Sequence, residues 1–365
     1  MSTTGSTTTS SRPRFAIVGA GVIGKQHGLV MSQLDDRLEL VAVVDVELDR
    51  AEALAAERGG RAFASLKEAL DAVDVDVVAV CTPTGLHGVV AIEALDARKH
   101  VIIEKPAEIT TEKTDEIIAA QQRAGTLVTV ISQHRFDAST EIALEAIRDG
   151  RLGRVTSGLA AIDWWRSQRY YDSGEWRGTW ELDGGGAMMN QGVHTVDLLI
   201  AALGKPVEVF AYTGTLAHDR VETEDVAAAV VRFESGALGM VHATTSAYPG
   251  LSARLQIHGD HGSVVIDDDQ LAYIHVANSD APEGAGDPPD TDNQVEEYAR
   301  PAESSAAARN PGQLSDAHRL QYLNILGALD GTQQLRVDLE TNRRAIAVIT
   351  GAYESARTGA PVSLA

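Results

Sequence analysis

The chain has 365 residues, is 44% hydrophobic and 23% charged, and carries a formal net charge of -21. That length suits two domains of a soluble globular protein better than a single core. The acidic excess repels phosphodiester backbones and anionic membranes, so neither nucleic acid nor a membrane surface is an expected partner.

Residues 1–12 are rich in Ser and Thr and lack an apolar stretch, so they read as a disordered tail and not as a signal peptide. No apolar run reaches the ~18 residues a membrane span needs, and a cytoplasmic location is expected. Cys81 is the single cysteine, which rules out an intrachain disulfide. Arg14–Val18 reads as the first strand, with a helix opening near Val22. A strand at 38–44, a helix from about Leu48, a short strand near 61–64 and a helix at 65–71 follow. Then come a strand at 75–80, a helix at 86–97, a strand at 100–103, a helix at 110–124 and a strand at 127–131. Near-continuous Val/Ile/Leu strands separated by helices predict a doubly wound parallel sheet over residues 13–135, the Rossmann arrangement.

Residues 136–365 change rhythm. After a helix at 139–149, strands are expected at about 154–165, 206–216, 225–233, 237–245, 252–258, 263–267 and 271–276, with hairpin turns at Glu234-Ser235-Gly236 and His258-Gly259-Asp260. One helix from about Gly186 to Leu203 interrupts them. The pattern predicts an α+β domain with a large, open, mostly antiparallel sheet. Residues 277–313, rich in Asp, Pro and Gly, read as a mobile excursion, and helices at about 314–329 and 340–357 close the chain, free to pack back on the first domain.

Gly19-Ala20-Gly21-Val22-Ile23-Gly24 is a G-x-G-x-x-G run between the first strand and the first helix. The first glycine permits the tight turn, the second lets backbone approach a diphosphate, and the third allows close packing of helix on strand. The diphosphate would face the N–H groups of the helix start. Asp45, at the end of the second strand, can accept from an adenosine ribose hydroxyl and would repel a 2′-phosphate, so the cofactor is expected to be NAD in preference to NADP. Thr82-Pro83 and His87 follow the fourth strand, and Glu104-Lys105-Pro106 follows the fifth, at the carboxyl edge where such sheets bind ligands. In the second half, Gly184-Gly185-Gly186 leads into a helix on which Asn190 and His194 are four apart, with Asp197 one turn on.

The glycine loop, the Glu-Lys-Pro tripeptide and the Gly-x-His helix together resemble the Gfo/Idh/MocA oxidoreductases, the family of glucose–fructose oxidoreductase and inositol dehydrogenase. The resemblance runs over nearly the whole chain. It implies that Lys105 lies beside the nicotinamide and the reacting hydroxyl, and that His194 exchanges the hydroxyl proton. It also implies that the sheet face of the second domain supports a homodimer or homotetramer. Imidazole titrates near working pH, and a lysine ammonium stabilises a developing alkoxide. Asn190 stands where many members carry Asp; it cannot act as a base, which moves proton transfer towards His194. Pocket candidates are His134 and Arg135 after the last Rossmann strand, and Asp163, Trp165, Arg166, Tyr170 and Trp176 in the Trp/Arg-rich stretch. Gln191, Asp197 and Tyr248 complete the set. The expected activity is hydride transfer between NAD(H) and a secondary hydroxyl or ketone of a sugar, sugar derivative or cyclitol. A redox-assisted glycosidase or lyase and a catalytically silent dinucleotide sensor are the alternatives, and no metal is expected.

Overall fold

The computed structural model describes residues 12–277, 292–298 and 314–364, so residues 1–11 of the expected tail and most of the 277–313 excursion lie outside the described residues. Strands β1 (Arg14–Val18), β2 (Glu39–Val44), β3 (Arg61–Phe63), β4 (Val77–Val80), β5 (His100–Ile103) and β6 (Val128–Val130) form one sheet in the order β3-β2-β1-β4-β5-β6. Every neighbouring pair is parallel. Helices α1 (Val22–Ser32), α2 (Leu48–Arg58), α3 (Leu66–Ala72), α4 (His87–Asp96) and α5 (Thr111–Ala124) connect them.

Pleating explains why these strands are apolar on both faces. Phe15, Ile17, Val77 and Ile102 pack with residues of α1, while Ala16, Val18, Val78 and Val80 pack with residues of α4 and α5. Each fully buried large side chain contributes roughly 1.5–3 kcal/mol. The chain order reverses between β1 and β4, which opens a crevice at their carboxyl ends.

After α6 (Ala138–Arg148) the chain builds a second sheet from β7 (Val155–Asp163), β8 (Pro206–Gly214), β9 (Val226–Phe233), β10 (Leu238–Thr244), β11 (Ala253–Gly259), β12 (Gly262–Asp267) and β13 (Gln270–Val276). Short helix α7 (Gln168–Tyr171) and helix α8 (Val193–Leu203) lie between β7 and β8; helices α9 (Val295–Tyr298), α10 (Leu314–Leu329) and α11 (Leu339–Thr358) precede the edge strand β14 (Val362–Ser363). The order is β13-β12-β11-β7-β10-β9-β8-β14. All pairs are antiparallel except β7 with β10 at the centre. One face is covered by α8 and α11 through Leu199, Leu203, Val348 and Ile349. The other exposes Tyr212, Val230, Leu238 and Met240.

The closing helices return to the first sheet. Tyr322, Ile325 and Leu326 of α10 join Phe15 and Ile17, and Leu339 and Ile346 of α11 join Ala16 and Val78. Helix α11 thereby touches the cores of both sheets.

The continuous helix expected from Gly186 to Leu203 is broken. Ala187–Gln191 forms a π-helical turn, closed by a bond from Gly192 N–H to the Ala187 carbonyl (2.8 Å), before α8 begins. Asn190 and His194 therefore do not share one α-helical face. Such widened turns recur at functional sites because they free backbone groups from the helical ladder.

Candidate active site

The glycine loop has the shape a dinucleotide requires. A Cβ on Gly19 would lie 2.5 Å from the Cys81 carbonyl oxygen, and one on Gly24 would lie 1.9 Å from the Gly19 carbonyl oxygen. A Cβ on Gly21 would meet nothing within 4 Å, so this is the side open to a ligand. Gly21 caps α1 without a side-chain bond, leaving the first N–H groups of the helix available to a diphosphate. Val22 is exposed at that edge, and Ile23 packs inward against the first sheet. Thr82 Oγ1, beside Pro83 at the end of β4, is buried and has no hydrogen-bond partner among the described residues. These features fit NAD: residues 19–24 would take the diphosphate, with Thr82 and Pro83 beside it at the end of β4.

Asp45 is buried at the same edge. Its carboxylate accepts from Ala20 N–H (2.8 Å) and Glu47 N–H (2.9 Å), which fixes it beside the loop with lone pairs to spare for a ribose hydroxyl. Lys25 and Arg50 line the adjacent recess with Gly21 and Val22. Replacing Asp45 by serine should therefore weaken NADH binding by about 10- to 100-fold, the worth of a charge-assisted hydrogen bond. The same change should strengthen NADPH binding, because Arg50 and Lys25 are then unopposed. Fluorescence titration of both cofactors reads the ratio; equal losses for both would mean that Asp45 only braces the loop.

Two residues expected to touch the cofactor are placed otherwise. Glu104 is buried: one carboxylate oxygen bonds His27 Nε2 (2.8 Å), and the other accepts from Lys105 N–H (3.1 Å). His27 in turn meets the Tyr322 hydroxyl at 2.6 Å, so Glu104 ties α1 and α10 to the strand end that carries Lys105. Burial opposes the charge on Glu104, but bonds to His27 and His318 outweigh it and hold the carboxyl well below its usual range. His87 is likewise buried, with its ring nitrogens on the Thr82 and Pro106 carbonyls, both at 2.8 Å. It clamps the two strand-end loops together, and the Lys105-Pro106 bond between them is cis.

The side chain of Lys105 reaches across to the second domain, where Nζ donates to the Asn190 carbonyl at 2.9 Å. The π turn presents that carbonyl. Asn190 Nδ2 donates to Asp183 Oδ1 at 2.6 Å, and Asp183 Oδ2 accepts from Gly178 N–H at 2.9 Å. Burial pushes Asp183 up to about 6 despite these bonds and the nearby Lys105. Burial lowers Lys105, with Glu104 and Asp183 opposing that shift. Behind the turn, the Glu224 carboxylate accepts from Gly186 N–H, Met188 N–H and the Tyr353 hydroxyl at 2.8, 2.8 and 3.0 Å. Asp183 and Glu224 carry no motif of their own, and only their contacts identify them as the frame of this segment.

His194 opens α8 and meets His134 edge-to-face, with ring centroids 4.9 Å apart. Burial drives the His194 imidazole well below its ordinary value, and the charges of His134 and Lys105 lower it further. His134 behaves oppositely. Its burial is outweighed by Asp137 (2.8 Å) and Asp269 (3.2 Å), which push it up to about 10. A charged imidazole is thus set against a neutral one.

The remaining candidates divide. Asp197 is buried and forms a two-point ion pair with Arg135 through Nε and Nη2 (2.6 and 2.7 Å), so each is engaged by the other. Gln191 donates to the Tyr170 hydroxyl at 3.2 Å, and the Tyr170 ring is flanked by Arg166 and Arg177. Trp176 stacks with Arg177. Trp165 and Tyr248 stack on each other at an exposed end of the second sheet, and Tyr248 is 79% exposed. Asp163 lies on the pleat opposite Ala160 and Ile162, hence on the uncovered sheet face, where it pairs with His242 at 2.7 Å. Among the described residues, no helix is long and apolar enough to cross a membrane.

Comparison with known proteins matches residues 13–132 to the oxidoreductase family model with an NAD-binding Rossmann fold, and residues 140–265 to the GFO/IDH/MocA C-terminal domain. The chain is similar to the myo-inositol 2-dehydrogenase of Thermotoga maritima, 28% identical over 70% of this chain and 75% of that protein. It is also similar to the D-glucoside 3-dehydrogenase of Escherichia coli, 36% identical over 54% of this chain and 56% of that protein. The crystal structure of the WlbA dehydrogenase from Bordetella pertussis, in complex with NADH and UDP-GlcNAcA, superposes with a TM-score of 0.83. That comparison covers 97% of this chain and 99% of that one at 33% identity.

Proposed function

The chain belongs to the Gfo/Idh/MocA family of NAD-dependent oxidoreductases, and on that premise we propose that it oxidises a secondary hydroxyl of a sugar, sugar derivative or cyclitol, or reduces the matching ketone. The observation that carries this reading is the reach of Lys105 from the end of β5 to the Asn190 carbonyl at 2.9 Å, on the turn that leads into His194, whose imidazole burial holds well below its ordinary value. The sugar and cyclitol activities named for the relatives support the substrate class.

NAD, when bound, supplies the hydride acceptor at its nicotinamide ring. The protein's own groups manage the proton and the orientation. His194, kept neutral, accepts the hydroxyl proton during oxidation and returns it during reduction. Lys105, fixed between the Glu104 anchor and the Asn190 carbonyl, donates to the same oxygen and stabilises its developing negative charge. Asn190 has a positioning role: its carbonyl holds Lys105 and its amide holds Asp183. The apolar strand ends and the buried Glu104–His27–Tyr322 array exclude water from behind the lysine.

The test is NADH formation with NAD and NADP across inositols, free sugars, glycosides and nucleotide sugars. Turnover with NAD on one sugar class supports the reading. Tight NAD binding without product on every member would point to a sensor, and product without net NADH to a redox-assisted lyase or glycosidase.

A further inference from the structure

An acidic chain with 52 Asp and Glu against 31 Lys and Arg has carboxylates in excess for pairing its arginines. Arg135, beside the reaction centre, is paired in this way, in two-point contact with Asp197. Arg166 and Arg177 are not. Both are half-buried, yet among the described residues neither forms an ion pair, and the Arg166 guanidinium bonds only the Trp165 carbonyl. Arg177 Nε is buried without a hydrogen-bond partner among the described residues.

Aromatic rings hold the two guanidiniums instead. Arg177 lies 4.3 Å from the centre of the Tyr170 ring and 4.5 Å from that of Trp176. Arg166 lies 5.3 Å from Tyr170 and 5.1 Å from Trp164. Stacking fixes a guanidinium while leaving its N–H edge free, and that fork matches a carboxylate or a phosphate. The position is tied to the chemistry by short links. The Tyr170 hydroxyl accepts from Gln191, next to Asn190, and Gly178, next to Arg177, donates to the Asp183 that also holds Asn190.

We infer that Arg166 and Arg177 form a clamp for an anionic group, carboxylate or phosphate, carried by the sugar substrate. The clamp rests on the proposed oxidoreductase reading and narrows its substrate to acidic sugars. It also reconciles an acidic protein with an anionic ligand, because two half-buried guanidiniums that form no ion pair among the described residues flank one ring there.

Calorimetric titration of the NADH-loaded protein with glucose, glucuronate, glucose 6-phosphate and a nucleotide-linked uronic acid tests it. The charged members should bind about 10²- to 10⁴-fold tighter than glucose, the worth of two charge-assisted bonds. Arg166→Met with Arg177→Met should abolish that preference, Arg177→Lys should retain part of it, and Arg169→Gln on the exposed side of α7 should leave it intact. Tightest binding of glucuronate would identify the anion as a carboxylate on the ring, and tightest binding of the phosphate-bearing members would identify a phosphate. Equal affinities for charged and neutral sugars, including no binding of any, or a preference surviving in the double methionine variant, would overturn the clamp. Failure of the oxidoreductase reading would look different: sugars would bind with the preference but yield no NADH from NAD.

Discussion

Lys105→Met is expected to lower kcat by about 10²- to 10³-fold, the usual cost of losing one donor aimed at a developing oxyanion. Methionine keeps the length and apolar stem of the side chain, so the crevice stays filled. What disappears is the ammonium that donates to the Asn190 carbonyl and, in the proposed mechanism, to the reacting oxygen. The strand end itself is held independently, by Glu104 on the Lys105 amide and by His87 on the Pro106 carbonyl. NADH affinity and thermal midpoint should therefore change far less than kcat. A variant that loses stability and cofactor binding in parallel with activity would show Lys105 to be a brace between the domains.

His194→Asn should cost about 10²- to 10⁴-fold in kcat for alcohol oxidation, the range for a positioned general base. The pH profile separates this role from a structural one. Oxidation needs the neutral imidazole, so the rate falls as pH drops through the His194 pKa. Burial, then the charges of His134 and Lys105, depress that pKa, so the acidic limb should lie below the ordinary imidazole value of ~6.5. His134→Gln removes one neighbouring positive charge, raises the His194 pKa and should move the limb to higher pH. Asp183, pushed up to about 6 by burial, titrates in the acidic range too. An acidic limb that stays in place in His134→Gln would belong to Asp183 and would remove His194 from the base role.

Much of the first domain could be read from the chain because its signals are local. A strand buried on both faces must be apolar throughout, as in Phe15-Ala16-Ile17-Val18, and a tight turn under a helix must use glycine where a Cβ would strike backbone, as at Gly24. Lys105 and His194 were legible through their surrounding motifs. The second sheet was legible strand by strand, but its central parallel pairing of β7 with β10 joins residues roughly 80 apart, such as Leu159 with Met240, and no local pattern records that.

The amino-acid order by itself determined a glycine turn at residues 19–24 between strand and helix, a carboxylate just past the second strand, and a lysine and a histidine just past a strand end and at a helix start. Those positions depend on backbone conformation and residue type, which neighbouring residues dictate. Only the tertiary structure decided which polar groups remain free. Asp197 and Asp163 read as substrate ligands until Arg135 and His242 were seen to engage them, and Glu104 and His87 read as cofactor contacts until their partners proved internal. Arg177 and Asp183 acquired their importance the same way, one by a buried Nε without a hydrogen-bond partner among the described residues and the other by gaining Asn190 and Gly178. A buried polar group is defined by what satisfies it, and in this chain the satisfying residue often lies scores of positions away, brought near only when two cores close on each other.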